Sequence, residues 1–79
     1  MNGHFTRVPF SEAKAYVLRF GKYKGQTIDE IASTDPGLRY LDWMRGNLRL
    51  DFHTANAVCS YLDDETIARE LAALVKGRG

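Results

Sequence analysis

The sequence predicts an α+β domain: a small N-terminal β-hairpin followed by three to four short helices packed as one compact unit. Three observations carry this. Tyr16-Val17-Leu18-Arg19-Phe20 is rich in β-forming residues and alternates, so Tyr16, Leu18 and Phe20 share one face. Gly21 and Gly25 bracket Lys22-Tyr23-Lys24, as a tight turn requires. Beyond Gln26, apolar residues recur at three- and four-residue spacing through most of the remaining chain.

Taken in order, Pro9 and Ser11-Glu12-Ala13-Lys14 read as an entry turn, with Ser11 placed to cap one turn of helix. The hairpin is expected over about residues 16–27, its second strand ending near Gln26-Thr27. Thr27 and Glu30 fit a capping box, in which each side chain serves the other's backbone N–H. They open a helix over about 28–33 with Ile28, Ile31 and Ala32 on one stripe. Asp35 as N-cap and Pro36 at the first helical position predict a helix over about 36–46, closed by Gly46-Asn47. Leu38, Leu41, Met44 and Leu48 form its inner stripe. Tyr40 and Trp43 flank that stripe and are assigned to the core, Trp43 above all, because a small domain needs the burial a tryptophan supplies.

Asp51 is placed to cap a helix over about 51–62 with Phe52, Ala55, Val58, Cys59 and Leu62 inward. Asp63-Asp64-Glu65 caps and charges the start of a last helix over about 64–76, where Ile67, Ala68, Leu71, Leu74 and Val75 are apolar. Lys76-Gly77-Arg78-Gly79 reads as a frayed basic end. No linker or repeat interrupts the chain, so residues 1–79 are read as a single domain. A chain of this size buries only about 60% of its unfolded surface.

Composition narrows the function. Hydrophobic residues make up 44% and charged residues 27%, which excludes a disordered tail. The apolar runs are a few residues long, so no membrane span is expected, and the first seven residues lack the apolar core of a secretory signal. Cys59 is alone, so no intrachain disulfide or cysteine metal site is expected, and a reduced cytoplasmic setting follows. Charge is unevenly placed. Residues 1–50 hold eight Lys/Arg against five acids, and residues 51–79 hold three against five. A polyanion would therefore meet the first half of the chain.

Catalysis by this chain is not expected. Asp63-Asp64-Glu65 is the one acidic cluster, and adjacent helical residues point different ways, so capping and dipole charge explain it better than metal binding. His4 and His53 stand in no ligand spacing, His4 reading as a mobile terminus. A His53–Cys59 pair competes with a buried structural role for Cys59. No cofactor and no metal are implied.

The tip Gly21-Lys22-Tyr23-Lys24-Gly25 has two readings that its residues leave open. It is a tight turn with solubilising lysines. Or its glycines let the backbone approach a phosphate that Lys22 and Lys24 neutralise, with Tyr23 free to stack. It is not a Walker loop, lacking that spacing and a following Ser/Thr.

The stretch from Arg19 to Leu48 resembles the small module at the C-terminal end of exodeoxyribonuclease X and of many short phage and bacterial proteins. That module carries F-G-K-[YH]-K-G, then a short helix with an acid and isoleucine, then D-P-x-Y-L-x-W. The matching positions are Phe20 to Gly25, then Ile28, Glu30, Ile31, Asp35, Pro36, Tyr40, Leu41 and Trp43. Pro36-Gly37-Leu38-Arg39 before Tyr40 is an insertion relative to the shortest members. The resemblance implies a nucleic-acid context without nuclease chemistry, which belongs to a separate acidic-site domain.

With it, the expected function is weak, sequence-tolerant binding of a nucleic-acid backbone, DNA favoured. Arg19, Lys22, Tyr23, Lys24 and Arg39 are the expected contacts, and Gly21 and Gly25 allow close approach. The competing reading is a protein-interaction or regulatory module, docked to a DNA-processing enzyme or to its own copy, with no nucleic-acid contact. An apolar stripe of Ile67, Leu71 and Leu74 would serve self-association or close the core.

Overall fold

Five helices build the described residues, and the expected hairpin is not among their elements. A computed structural model describes residues 7–77, with side chains to Leu74. The helices are α1 (Phe10–Ala15), α2 (Ile28–Ala32), α3 (Asp35–Asn47), α4 (Phe52–Leu62) and α5 (Glu65–Gly77). The fold is therefore helical rather than α+β. His4, Arg78 and Gly79, and the side chains of Val75 and Lys76, lie outside the described residues.

Why the strands fail is visible in the backbone hydrogen bonds. Residues 16–20 and 26–27 share one isolated antiparallel bridge, Val17 to Thr27. It is flanked by Leu18 N–H to the Gln26 carbonyl and Ile28 N–H to the Tyr16 carbonyl, both 2.9 Å. The pairing stops there. Gly25 N–H turns back onto the Leu18 carbonyl at 2.8 Å, and Gln26 N–H bonds the Tyr23 carbonyl at 3.1 Å. Thr27 is already the N-cap of α2, so a second strand has no residues left to extend. The alternation survives without a sheet: Leu18 is fully buried, Tyr16 and Phe20 pack on the core, and Val17 is exposed.

Helix starts follow local side-chain chemistry. Pro9, not Ser11, precedes α1, and its carbonyl accepts from the Glu12 and Ala13 amides with no side-chain cap. The capping box at α2 is complete: Glu30 N–H donates to the Thr27 hydroxyl at 3.1 Å and Thr27 N–H to the Glu30 carboxylate at 2.9 Å. Thr34, not Asp35, caps α3 by accepting from Gly37 N–H at 3.1 Å, so Asp35 and Pro36 are its first two residues. Pro36 still spends a position whose N–H needs no partner. The helix continues through Gly46 to Asn47.

The core is Leu18, Ile28, Ile31, Leu38, Leu41, Met44, Val58, Tyr61 and Leu62, with Ala13, Ala57 and Ile67 closing it. α4 sits differently from expectation. Its buried face holds Thr54, Asn56, Ala57, Val58, Ser60, Tyr61 and Leu62, while Phe52 is exposed and Ala55 and Cys59 are half-buried. The buried polar groups have a task. Asn56 Oδ1 accepts from Val8 N–H at 3.0 Å, and the Ser60 hydroxyl donates to the Val8 carbonyl, so α4 clamps the segment before α1. On α5, Ile67 is buried, Leu71 and Leu74 are half-buried, and Ala68 is exposed. Among the described residues no helix is long and apolar enough to cross a membrane.

Candidate nucleic-acid interface

The glycines of the tip are required by its backbone. Gly21 and Gly25 adopt φ of +82° and +93°, the left-handed region where a Cβ is strained. Lys24 N–H bonds the Gly21 carbonyl at 3.2 Å, the Gln26 amide bonds the Tyr23 carbonyl, and the Gly25 amide bonds the Leu18 carbonyl just before the loop. The amides of Lys22 and Tyr23 take no acceptor among the described residues.

Aromatic contact pins this loop onto α3. The half-buried Tyr23 ring meets Tyr40 edge-on with centroids 5.0 Å apart, and Tyr40 meets Trp43 at 5.8 Å and a 31° tilt. Lys22 Nζ stands 5.7 Å from the Tyr23 ring centre. Trp43 is not in the core: it is 49% exposed. The inner side of α3 is filled by Leu38, Leu41 and Met44, and Trp43 lies ~100° around the helix from Met44. The tip covers Tyr40 and leaves Trp43 at the surface.

Charge is sorted in the same way. Arg7 and Asp63 pair at 2.6 Å, Arg45 reaches Asp63 at 3.3 Å and Asp42 at 3.0 Å, and Arg69 pairs with Glu65 at 3.0 Å. Exposed pairs of this kind contribute little to stability, but they cancel charge. Arg19, Lys22, Lys24 and Arg39 form no ion pair with any described residue.

Of the expected site residues, Gly21, Lys22, Tyr23, Lys24 and Gly25 form one loop on Tyr40, and Arg39 is the next residue along α3. Arg19 goes elsewhere. It lines a cleft with Tyr16, Asp51 and His53. There the Thr54 hydroxyl donates to Asp51 Oδ1 at 2.6 Å, so Tyr16 must donate to Thr54 across their 2.7 Å contact. Bonds from the Thr54 hydroxyl and amide hold the Asp51 carboxyl below its ordinary pKa. Across the molecule, burial chiefly, then the bond to Asp29, pushes the Tyr61 hydroxyl above the usual phenol range.

The three acids Asp63, Asp64 and Glu65 do not converge on one point. Asp63 faces Arg7 and Arg45, Asp64 accepts from the Thr66 and Ile67 amides, and Glu65 pairs with Arg69. No three His, Cys, Asp or Glu side chains among the described residues could share a metal ion. His53 and Cys59 stand six apart on α4, ~9 Å along the axis and ~240° around it, which separates them.

Fold and charge map together define a small helical module in which the lysine tip and Arg39 adjoin an aromatic row on α3. Residues 18–49 match the family described as exodeoxyribonuclease X-like C-terminal, which places this segment with nuclease-associated modules. The match takes in the tip, α2 and α3, and with them every residue of the row. No curated protein and no solved structure gives a significant match to the chain.

Within the aromatic row, Trp43 is the residue that sequence reasoning misassigned. A signal was available. Arg39 and Gly46, four before it and three after it, share its stripe of α3, and neither is a core residue.

Proposed function

We propose that the protein is a non-catalytic module that binds nucleic-acid backbone, DNA favoured, weakly and with little sequence preference. Lys22 and Lys24 contact phosphates, aided by the free Lys22 and Tyr23 amides, and Arg39 extends the same patch. One observation carries the reading: these three cations form no ion pair with a described residue, and the Tyr23–Tyr40 contact seats the lysine tip on the middle of α3, where Arg39 is the neighbouring residue. Gly21 and Gly25 set the turn that presents the lysines. Arg19 has the smallest share, because the Asp51 carboxylate in its cleft offsets its charge.

Three neutralised phosphates correspond to a log–log salt slope of about −2.7 on duplex DNA. Affinity of that origin is modest, so the module works beside a partner or a second copy that raises its effective concentration. Fluorescence anisotropy of labelled DNA across a salt series tests this, with the Lys22→Glu/Lys24→Glu double variant alongside. A slope near that value in the parent, and no binding by a folded double variant, is the expected result. A folded parent that binds nothing at low salt removes the reading.

A further inference from the structure

Trp43 combines features that a merely half-covered hydrophobe does not need. Tyr40 has ring contacts with both Tyr23 and Trp43, while among the described residues Trp43 meets Tyr40 alone, so the row ends at Trp43. The indole borders a surface groove of about 510 Å³ that includes Arg39, Gly46 and Leu71. That volume is in the range of small-ligand clefts.

Gly46 lines the groove without a side chain. A Cβ built there meets nothing within 4 Å, and its φ is not positive, so the turn geometry does not demand glycine. Arg39, one turn before Trp43, supplies an unpaired guanidinium at the groove's rim. Arg45, the other cation in the groove, is already committed to Asp42 and Asp63.

A half-exposed indole one helical turn from an unpaired guanidinium, in a ring row that leads to the lysine tip, is the combination that holds unpaired bases and their phosphates. We infer that Trp43 is a stacking site for one base of a single-stranded nucleic acid, whose backbone runs between Arg39 and the lysine tip. This inference rests on the phosphate-binding reading above and adds a preference for single strands. A duplex keeps its bases stacked inside and offers Trp43 nothing.

Trp43 is the sole tryptophan, so its emission reports the site directly. The probes are an oligothymidine of about 12 nucleotides, its abasic counterpart and a duplex, with oligouridine to separate RNA from DNA. Stacking on one ring corresponds to about 5- to 140-fold in affinity.

The expected result is quenching of the indole by oligothymidine, and binding weaker by about that factor to the abasic strand and the duplex. Gly46→Leu, which fills the groove at an unstrained helical position, should lower oligothymidine affinity to the abasic level and leave duplex binding unchanged. Tighter binding of oligouridine names RNA as the strand, weaker binding names DNA, and both keep the site. Salt-sensitive binding equal for all probes, with unchanged emission, overturns the stacking site while the lysine tip stands. Binding to no probe overturns both.

Discussion

The Tyr40 hydroxyl occupies the space beside Gly21: a Cβ built on Gly21 would lie 2.8 Å from it. One residue of the loop and one of α3 are thus fitted to each other, which fixes where Lys22 and Lys24 sit. Gly21→Ala meets two obstacles, the left-handed φ of +82° and the hydroxyl. The backbone part costs about 1–2 kcal/mol. In a Tyr40→Phe background the contact is gone and only that part remains. Urea unfolding of both variants and the double variant measures the difference. An equal cost of Gly21→Ala in both backgrounds would show that the hydroxyl does not position the loop.

Two glycines of α3 should respond to alanine with opposite signs. A Cβ at Gly37 would fall 1.8 Å from the Ile31 carbonyl oxygen, a backbone atom that cannot swing away. The short link from α2 to α3 packs that closely only because residue 37 has no side chain. Gly37→Ala should destabilise by about 1–3 kcal/mol, the usual cost of overpacking. At Gly46 nothing lies within 4 Å, so Gly46→Ala should stabilise by about 0.5–1 kcal/mol, the helix-interior advantage of alanine. Chemical denaturation of the two proteins gives the signs directly.

What was legible in the sequence was local. Thr27 with Glu30, and Asp51 with the amide three residues on, are capping interactions between near neighbours, and both are formed. Leu38, Leu41 and Met44 share a stripe whatever packs on them. The rest depended on distant chain. Tyr16–Phe20 has strand-like residues, but a strand needs a partner, and the residues that would supply it are spent on two turns and a helix cap. The inner face of α4 could not be read from apolar spacing, because Thr54, Asn56 and Ser60 are buried to serve Tyr16 and Val8. Trp43 was assigned by the need for burial, although it shares its stripe of α3 with Arg39 and Gly46 rather than with the buried Leu38, Leu41 and Met44.

Asp51 gives the acid side of the stability curve a specific contributor. Its pKa is lowered from the ordinary 3.8, first by the Thr54 hydroxyl and then by the Thr54 amide. A carboxyl depressed in the folded state stabilises above its unfolded pKa, and that stabilisation is lost as pH falls through the folded one. Asp51→Asn keeps a good N-cap but cannot titrate. The parent's advantage over this variant should therefore be constant at neutral pH and shrink below about pH 3.8. Thermal midpoints of the two proteins between pH 2 and 7 read the difference. A gap that does not change with pH would exclude the Thr54 bonds as the cause.

Tyr61 governs the alkaline side by the opposite sign. Its ring is buried and stacks on Phe10 with centroids 5.1 Å apart, while its hydroxyl donates to Asp29 at 3.1 Å. Burial first, then the bond to Asp29 and the negative charge of that carboxylate, raise the pKa from 10.0. A hydroxyl with a raised pKa contributes stability that is complete below the unfolded pKa. It declines as pH rises past that value, where the unfolded chain ionises and the folded one does not. Tyr61→Phe keeps the ring contact and removes the titration. At neutral pH it should cost about 0.5–1.5 kcal/mol, one hydrogen bond to a carboxylate that water can resolvate. Above pH 10 the parent should lose stability faster than the variant, so the two unfolding midpoints converge. Parallel curves through that range would mean that the folded protein ionises Tyr61 as readily as the unfolded one, and that the packing of α1 on α4 does not hold its proton.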